Sequence, residues 1–288
     1  MLGPVVELGG QHSSPIVMGI INVTPDSFSD GGAFADPRRS AAHAARLVRE
    51  GASIIDVGGE SARPGALAVA ASEELRRVVP ALERIVSACP TATISIDTTK
   101  AEVAERALGL GARMVNDISA LRHDIGMAGV IAEAGATVCL MHMHGEPRSM
   151  QDNPQYDDVV SDVRAFLEER IEFAIERGIA RAKIYVDPGI GFGKTVEHNL
   201  QLVAGIGQIV ELGYPVVLGA SRKSFLGRLL GDVTAKRGPL SAALAVATIA
   251  YERGVQIFRV HDVREHAHAL RAAALVTEAR HELELDVR

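Results

Sequence analysis

Eight short, largely apolar runs, each followed by a helix-length stretch, constrain this chain more than any other feature. They fall at 16–22, 53–58, 93–97, 114–118, 137–143, 183–187, 216–220 and 255–260. Most are rich in β-branched residues and nearly uncharged until their last positions, the pattern of strands buried on both faces of a parallel sheet. Between them the apolar residues recur at helical spacing: Ala41, Ala44, Ala45 and Val48, then Leu75, Val78, Val79 and Leu82, then Leu167, Ile171, Ala174 and Ile175. Gly51, Gly111, Gly135, Gly178, Gly213 and Gly254 each stand shortly before a strand, where a left-handed cap turns a helix back toward the sheet.

Eight strand–helix units without a proline- or serine-rich linker predict an α/β fold: a single (β/α)8 TIM barrel whose active site lies at the C-terminal ends of the strands. A doubly wound open sheet is the alternative, because periodicity does not prove closure. Residues 1–14 read as an extension leading into the barrel, 15–275 as the barrel and 276–288 as a charged tail. The nearly all-apolar stretch 241–251 should be covered on both sides, and one cover would be a second subunit.

The net charge of −6, without a basic run, argues against a nucleic-acid partner. No apolar run is long enough for a membrane span, and residues 1–14 lack the marks of a secretion signal, so a cytoplasmic location is expected. Cys89 and Cys139 are read as unpaired thiols.

Every predicted strand ends in polar chemistry: Asn22, Asp56, Asp97, Asn116 with Asp117, His142, Asp187, Arg222 with Lys223, and Arg259 with His261. In a parallel barrel these ends converge on one face. A single strand-end Asp is as often a helix cap, and Asp117 and Asp124 suit that plainer role; eight of eight is hard to assign to capping. The carboxylates Asp56, Asp97 and Asp187, with Asn116, suit a flat ring rich in N–H donors. The cations of the last two units suit a phosphorylated end, since the loops after strands seven and eight are the usual anion site of this barrel. A helix expected over 224–230 would offer its N-terminus to a second anion, unless Ser224 merely caps it.

Two further motifs are set aside. The run 189–195, Gly-Ile-Gly-Phe-Gly-Lys-Thr, has Pro188 where a P-loop needs glycine; its glycines instead let backbone approach a ligand, with Phe192 presenting a ring. In Met141-His142-Met143-His144, strand alternation leaves at most two histidines on one face, too few for a transition metal.

These residues resemble the dihydropteroate synthases, the folate-pathway family targeted by sulfonamides, over about 15–275. The likeness rests on Asn22-Val-Thr-Pro-Asp-Ser-Phe-Ser-Asp-Gly-Gly32, Asp56-Val-Gly-Gly-Glu-Ser-Ala-Arg-Pro-Gly65, Ser95-Ile-Asp-Thr98, Asn116-Asp-Ile118, Asp187-Pro-Gly-Ile-Gly-Phe-Gly193, Ser221-Arg-Lys-Ser224 and Arg259-Val-His-Asp262. It implies condensation of 6-hydroxymethyl-7,8-dihydropterin diphosphate with p-aminobenzoate to dihydropteroate and diphosphate. By resemblance Asp56, Asp97, Asn116, Ile118, Asp187, Lys223 and Arg259 hold the pterin. Asn22, Arg63, Arg259 and His261 hold the diphosphate, with Asn22 reaching Mg2+. Phe28, Pro64, Phe192, Lys223 and Ser224 receive the aminobenzoate. The implied catalytic set is Asp30, Lys223, Arg259, His261 and Arg63, with Asp30 on a loop that closes over bound substrate. A homodimer and sulfonamide inhibition are implied too. Ala62 departs from the family, which has a hydroxyl residue there. Two rival readings are a barrel that takes a methyl group from methyltetrahydrofolate, which has no use for the Asn22 loop with Ser221-Arg-Lys-Ser224, and a non-catalytic pterin-binding homologue.

Overall fold

The computed structural model describes residues 14–24, 36–63 and 65–286. Strands and helices alternate along the chain. The first half runs β1 (Ile16–Asn22), α1 (Pro37–Arg49), β2 (Ile54–Gly58), α2 (Ala71–Ala88), β3 (Thr93–Asp97), α3 (Ala101–Gly109), β4 (Met114–Asp117) and α4 (Met127–Ala134). The second half runs β5 (Thr137–Met141), α5 (Val159–Glu176), β6 (Ile184–Asp187), α6 (Val196–Ala204), α7 (Gly207–Val210), β7 (Val217–Leu218), α8 (Ser224–Leu229), α9 (Leu240–Glu252), β8 (Ile257–Val260) and α10 (Val263–Asp286).

All neighbouring strands pair in parallel, in the order β6-β5-β4-β3-β2-β1-β8-β7. A parallel bridge between Val186 and Val216 joins the two outer strands, so the sheet closes as a barrel and the open-sheet alternative falls. β7 is shorter than the sequence predicts. Val216 already belongs to the closing bridge, and the chain beyond Leu218 leaves the ladder for a turn in which Arg222 takes φ +60°. β4 and β5 likewise stop before Ile118 and Met143.

Two apolar layers follow from strand alternation. Val17, Ile21, Ile55, Val57, Ile94 and Ile96 face outward into the main core beneath the helices. Ile16, Met18, Ile54, Met114, Cys139, Tyr185, Val217 and Ile257 form a separate cluster, which plugs the barrel interior. Gly135 closes α4 at φ +58°, and the other five predicted helix-ending glycines also have positive φ. α9 is buried along Ala243, Val246, Ala247 and Ala250 and packs against α10, while Ile249 is exposed. α10 continues to Asp286, so residues 276–286 of the expected tail are helical. Among the described residues no helix is long and apolar enough to cross a membrane, and both cysteines are unpaired and buried.

Candidate active site

Side chains on one face of a strand recur every second residue, so each inward residue of the plug dictates what stands above it. Asp56 follows Ile54, Asn116 follows Met114, Asp187 follows Tyr185 and Arg259 follows Ile257. Asp97 stands in the same way above Ser95, which is fully buried. Above Val217 comes Gly219, where an added Cβ would lie 3.9 Å from Lys223 Nζ; the missing side chain leaves room for that lysine.

These groups meet. Arg259 donates from Nε to Asp56 Oδ2 at 2.7 Å and from Nη2 to Asp97 Oδ2 at 2.6 Å. Asn116 Nδ2 donates to the same Asp56 oxygen at 3.1 Å, while the buried Asp56 Oδ1 has no partner and remains an acceptor. Asp187 Oδ1 accepts the Gly189 N–H at 2.7 Å. Lys223 Nζ donates to the Ile190 carbonyl and lies 4.5 Å from the centre of the Phe192 ring. Burial pushes the Asp97 carboxyl up to about 7, with Arg259 opposing the rise and Asp56 reinforcing it. Burial also brings the Lys223 ammonium down to about 7 against the pull of Asp187. The Asp187 carboxyl is raised by burial too, with Lys223 and the Gly189 N–H opposing. Arg259 is held above its ordinary value by Asp56 and Asp97 despite its burial.

The end formed after β7 and β8 carries less free positive charge than the sequence suggests. Arg222 forks onto Asp262, Nε at 3.0 Å and Nη2 at 2.5 Å. His261 is lowered to about 3 by burial and by Arg222 and Arg259, so near neutral pH it is an uncharged imidazole. Its Nδ1 and backbone N–H each lie 3.2 Å from Ser221 Oγ. The expected cation at His261 is therefore replaced by a neutral hydrogen-bonding group. Ser224 is the first residue of the six-residue α8, with Lys223 preceding it at the cap position, so Ser224 does not cap its own helix.

A profile described as "Pterin binding enzyme" matches residues 18–261. The dihydropteroate synthase of Escherichia coli (strain K12) is 45% identical over 268 residues, covering 93% of this chain and 94% of that protein. The chain belongs to the dihydropteroate synthase family. Among solved structures, a Yersinia pestis dihydropteroate synthase in complex with a sulfonamide drug superposes with a TM-score of 0.86 at 42% identity, covering 92% of this chain and 95% of that one. A Xanthomonas albilineans dihydropteroate synthase with 4-aminobenzoic acid gives 0.83 at 44% identity, covering 92% and 93%.

In this member of the dihydropteroate synthase family, Asn22 and Arg63 occupy the rim. Asn22 ends β1 opposite Gly58; an added Cβ on Gly58 would lie 3.5 Å from Asp97 Cβ and 3.8 Å from Asn22 Oδ1, so that glycine keeps the space between them open. Arg63 is exposed on the segment between β2 and α2. That segment is fastened at its base, since Glu60 accepts from the Val69 N–H at 3.0 Å and from Lys100 Nζ at 2.5 Å. Phe28, Asp30 and Pro64 lie outside the described residues. Among the described residues no group of three His, Cys, Asp or Glu is placed to hold a metal. Asn22 offers one amide oxygen at the rim, which suits Mg2+ taking its remaining ligands from substrate phosphates and water.

The sequence reading missed an apolar wall for this dihydropteroate synthase site. Met141, Met143 and Met150 are buried together, with Ile118 and Phe192 packed against them. The signal lies in the alternation Met141-His142-Met143, which puts two methionines on one face. It also missed the side chains that hold the loop after β6: Gln151, Tyr156, Lys194 and Asn199.

Proposed function

We propose that the chain is a dihydropteroate synthase that joins 6-hydroxymethyl-7,8-dihydropterin diphosphate to p-aminobenzoate. The observation that carries this reading is the inward set Asp56, Asp97, Asn116 and Asp187 above an apolar plug, beside a lysine against an aromatic ring. A buried carboxylate oxygen without a partner, Asp56 Oδ1, invites an N–H donor such as a pterin edge supplies.

In the proposed reaction the C–O bond to diphosphate breaks first, and the aniline nitrogen then bonds to the pterin methylene and loses a proton. Positive charge develops on the pterin, and the carboxylates of Asp56 and Asp97 face it across Arg259. When bound through the diphosphate and Asn22, Mg2+ would neutralise charge on the leaving group. Arg63, Arg259 and His261 are assigned to the diphosphate, His261 as a neutral hydrogen-bonding partner. Phe192, Lys223 and Ser224 are assigned to p-aminobenzoate, with Phe28 and Pro64, and Asp30 to the closing loop. Sulfonamides would compete for the aminobenzoate position. A cytoplasmic homodimer joined through α9 completes the proposal; sedimentation as a monomer would remove the dimer.

The test is to incubate the protein with the pterin diphosphate, p-aminobenzoate and Mg2+ and to look for dihydropteroate. Binding of pterin without product would favour the non-catalytic homologue. Methyl transfer from methyltetrahydrofolate would favour the methyltransferase reading.

A further inference from the structure

The loop between β6 and α6 has almost no regular hydrogen bonding of its own, yet its backbone polar groups are held from outside. The Gly191 N–H is accepted by Asn199 Oδ1 at 2.7 Å, the Gly191 carbonyl accepts from Gln151 Nε2 at 2.7 Å, and the Gly193 carbonyl accepts from the Tyr156 hydroxyl at 2.8 Å. Lys194 Nζ donates to the Phe192 carbonyl at 3.0 Å and lies 2.9 Å from His142 Nδ1. The loop also presses directly on the segment after β5. A Cβ on Gly189 would fall 1.8 Å from the His142 carbonyl oxygen, and one on Gly193 would fall 2.7 Å from that of His144.

Lys194 stands apart from the other three contacts. Its side chain is a lysine in the protein interior, 3% exposed, and its hydrogen bonds go to a neutral ring and a carbonyl rather than to a carboxylate. Lysine is costly to bury, and Asp187 offsets that cost only through space and not by a hydrogen bond, so a mere space filler would be an apolar residue. What the lysine supplies is a donor on a long stem, able to turn back two residues to Phe192 and to reach across to His142. Both partners are consistent with that use, because burial and neighbouring positive charge hold His142 uncharged, and the tautomer with its proton on Nε2 leaves Nδ1 to accept.

Phe192 is the residue whose carbonyl this contact holds. Its ring meets Lys223 Nζ and packs against the Met141, Met143 and Met150 wall. The Lys223 ammonium is in turn bonded to the Ile190 carbonyl of the same loop. We propose that Lys194 is a positioning residue for the aminobenzoate end of the site, fixing the Phe192 backbone and through it the ring and Lys223. This inference rests on the dihydropteroate synthase reading. The groups assigned to the pterin ring at Asp56, Asp97 and Asn116 hang from other strands and are not held by this contact.

The test compares the wild-type chain with Lys194→Met, which keeps the stem and removes the donors, and Lys194→Gln, which keeps two N–H groups on a shorter stem. Lys194→Met should raise KM for p-aminobenzoate by about tenfold or more, as misplacement of a binding group does. The Kd for the pterin diphosphate should rise by a clearly smaller factor, because Lys223 is shared by both substrates while Asp56, Asp97 and Asn116 stay in place, and Lys194→Gln should recover part of the loss. Tyr156→Phe, which frees the neighbouring Gly193 carbonyl, should shift the same KM less. An unchanged aminobenzoate KM in Lys194→Met overturns the inference. So does an equal loss of pterin and aminobenzoate binding, which would mark a general structural role. If Lys194→Met does not fold, Tyr156→Phe and Lys194→Gln decide it on the same two constants. A wild-type chain that makes no dihydropteroate removes the functional reading and this inference with it, whereas a wild type that turns over beside an unaffected Lys194→Met removes this inference alone.

Discussion

Arg259 is tied to Asp97 across the mouth of the barrel, Nη2 to Oδ2 at 2.6 Å, while its Nε holds Asp56. One guanidinium thus compensates two inward carboxylates, one of them fully buried. This geometry makes Arg259 part of the fold's stability as well as of the site.

Removing that cation leaves both carboxylates without their shared partner. Arg259→Met should destabilise the protein by about 3–5 kcal/mol at pH 8, the cost typical of breaking a buried pair. Without the arginine, which opposes the rise of the Asp97 carboxyl, Asp97 binds its proton more readily, so the loss should shrink as pH falls toward 5. Urea unfolding at the two pH values measures it; equal losses at both would mean that the arginine acts by packing and not by charge.

Asp97 gives the site a pH dependence of its own. Its folded-state value of about 7 lies above the ordinary 3.8, so its contribution to stability is fully present below 3.8 and is lost as pH rises through 7. Ligand binding should run the other way, because a pterin N–H needs the ionised carboxylate as acceptor. Pterin affinity should therefore fall as pH drops below about 7, approaching tenfold per pH unit if the ionised form alone binds. Calorimetric titration of the wild type against Asp97→Asn isolates this term. The variant should bind more weakly and lose the step near neutrality; a step that persists in it belongs to another group.

The eight strands and the ring of polar ends were legible because period-two alternation is local: a polar residue two places beyond Ile54, Met114, Tyr185 or Ile257 must share their inward face. The charge state of the ring was not legible. His261 reads as a cation in the sequence and becomes neutral because folding buries it and brings Arg222 and Arg259 beside it. The turning of Arg259 onto Asp56 and Asp97 spans sequence separations of 203 and 162 residues, beyond the reach of any spacing rule. Lys194 was visible only as part of a failed P-loop match, since its partner His142 lies 52 residues away.

Two glycines separate backbone strain from site contact. Gly191 and Gly213 have nearly the same φ, +80° and +78°, but a Cβ on Gly191 would lie 2.9 Å from Lys223 Cδ while one on Gly213 would meet nothing within 4 Å. Each change to alanine should cost about 1–2 kcal/mol from the left-handed conformation. Only Gly191→Ala should also displace Lys223 and lower kcat/KM for p-aminobenzoate. Matching thermal unfolding with steady-state kinetics for the two variants tests this, and equal activity in both would show that Lys223 tolerates the shift.

Ala62 lies half-buried on the segment that carries Arg63, at the position where the family resemblance implies a hydroxyl residue. The segment is anchored near both ends by Glu60, through the Val69 N–H and Lys100, and its Gly65 N–H reaches the Pro147 carbonyl at 3.2 Å. A threonine there would add one hydrogen-bonding group to a stretch whose base is already fixed, so its effect should fall on the bound state more than on folding. One such bond is worth about 0.5–1.5 kcal/mol, on the order of two- to tenfold in affinity. Ala62→Thr should accordingly shift KM for p-aminobenzoate or the inhibition constant of a sulfonamide by that factor, with melting temperature nearly unchanged. If both constants match the wild type, the hydroxyl has no part in this site and the departure at Ala62 is neutral.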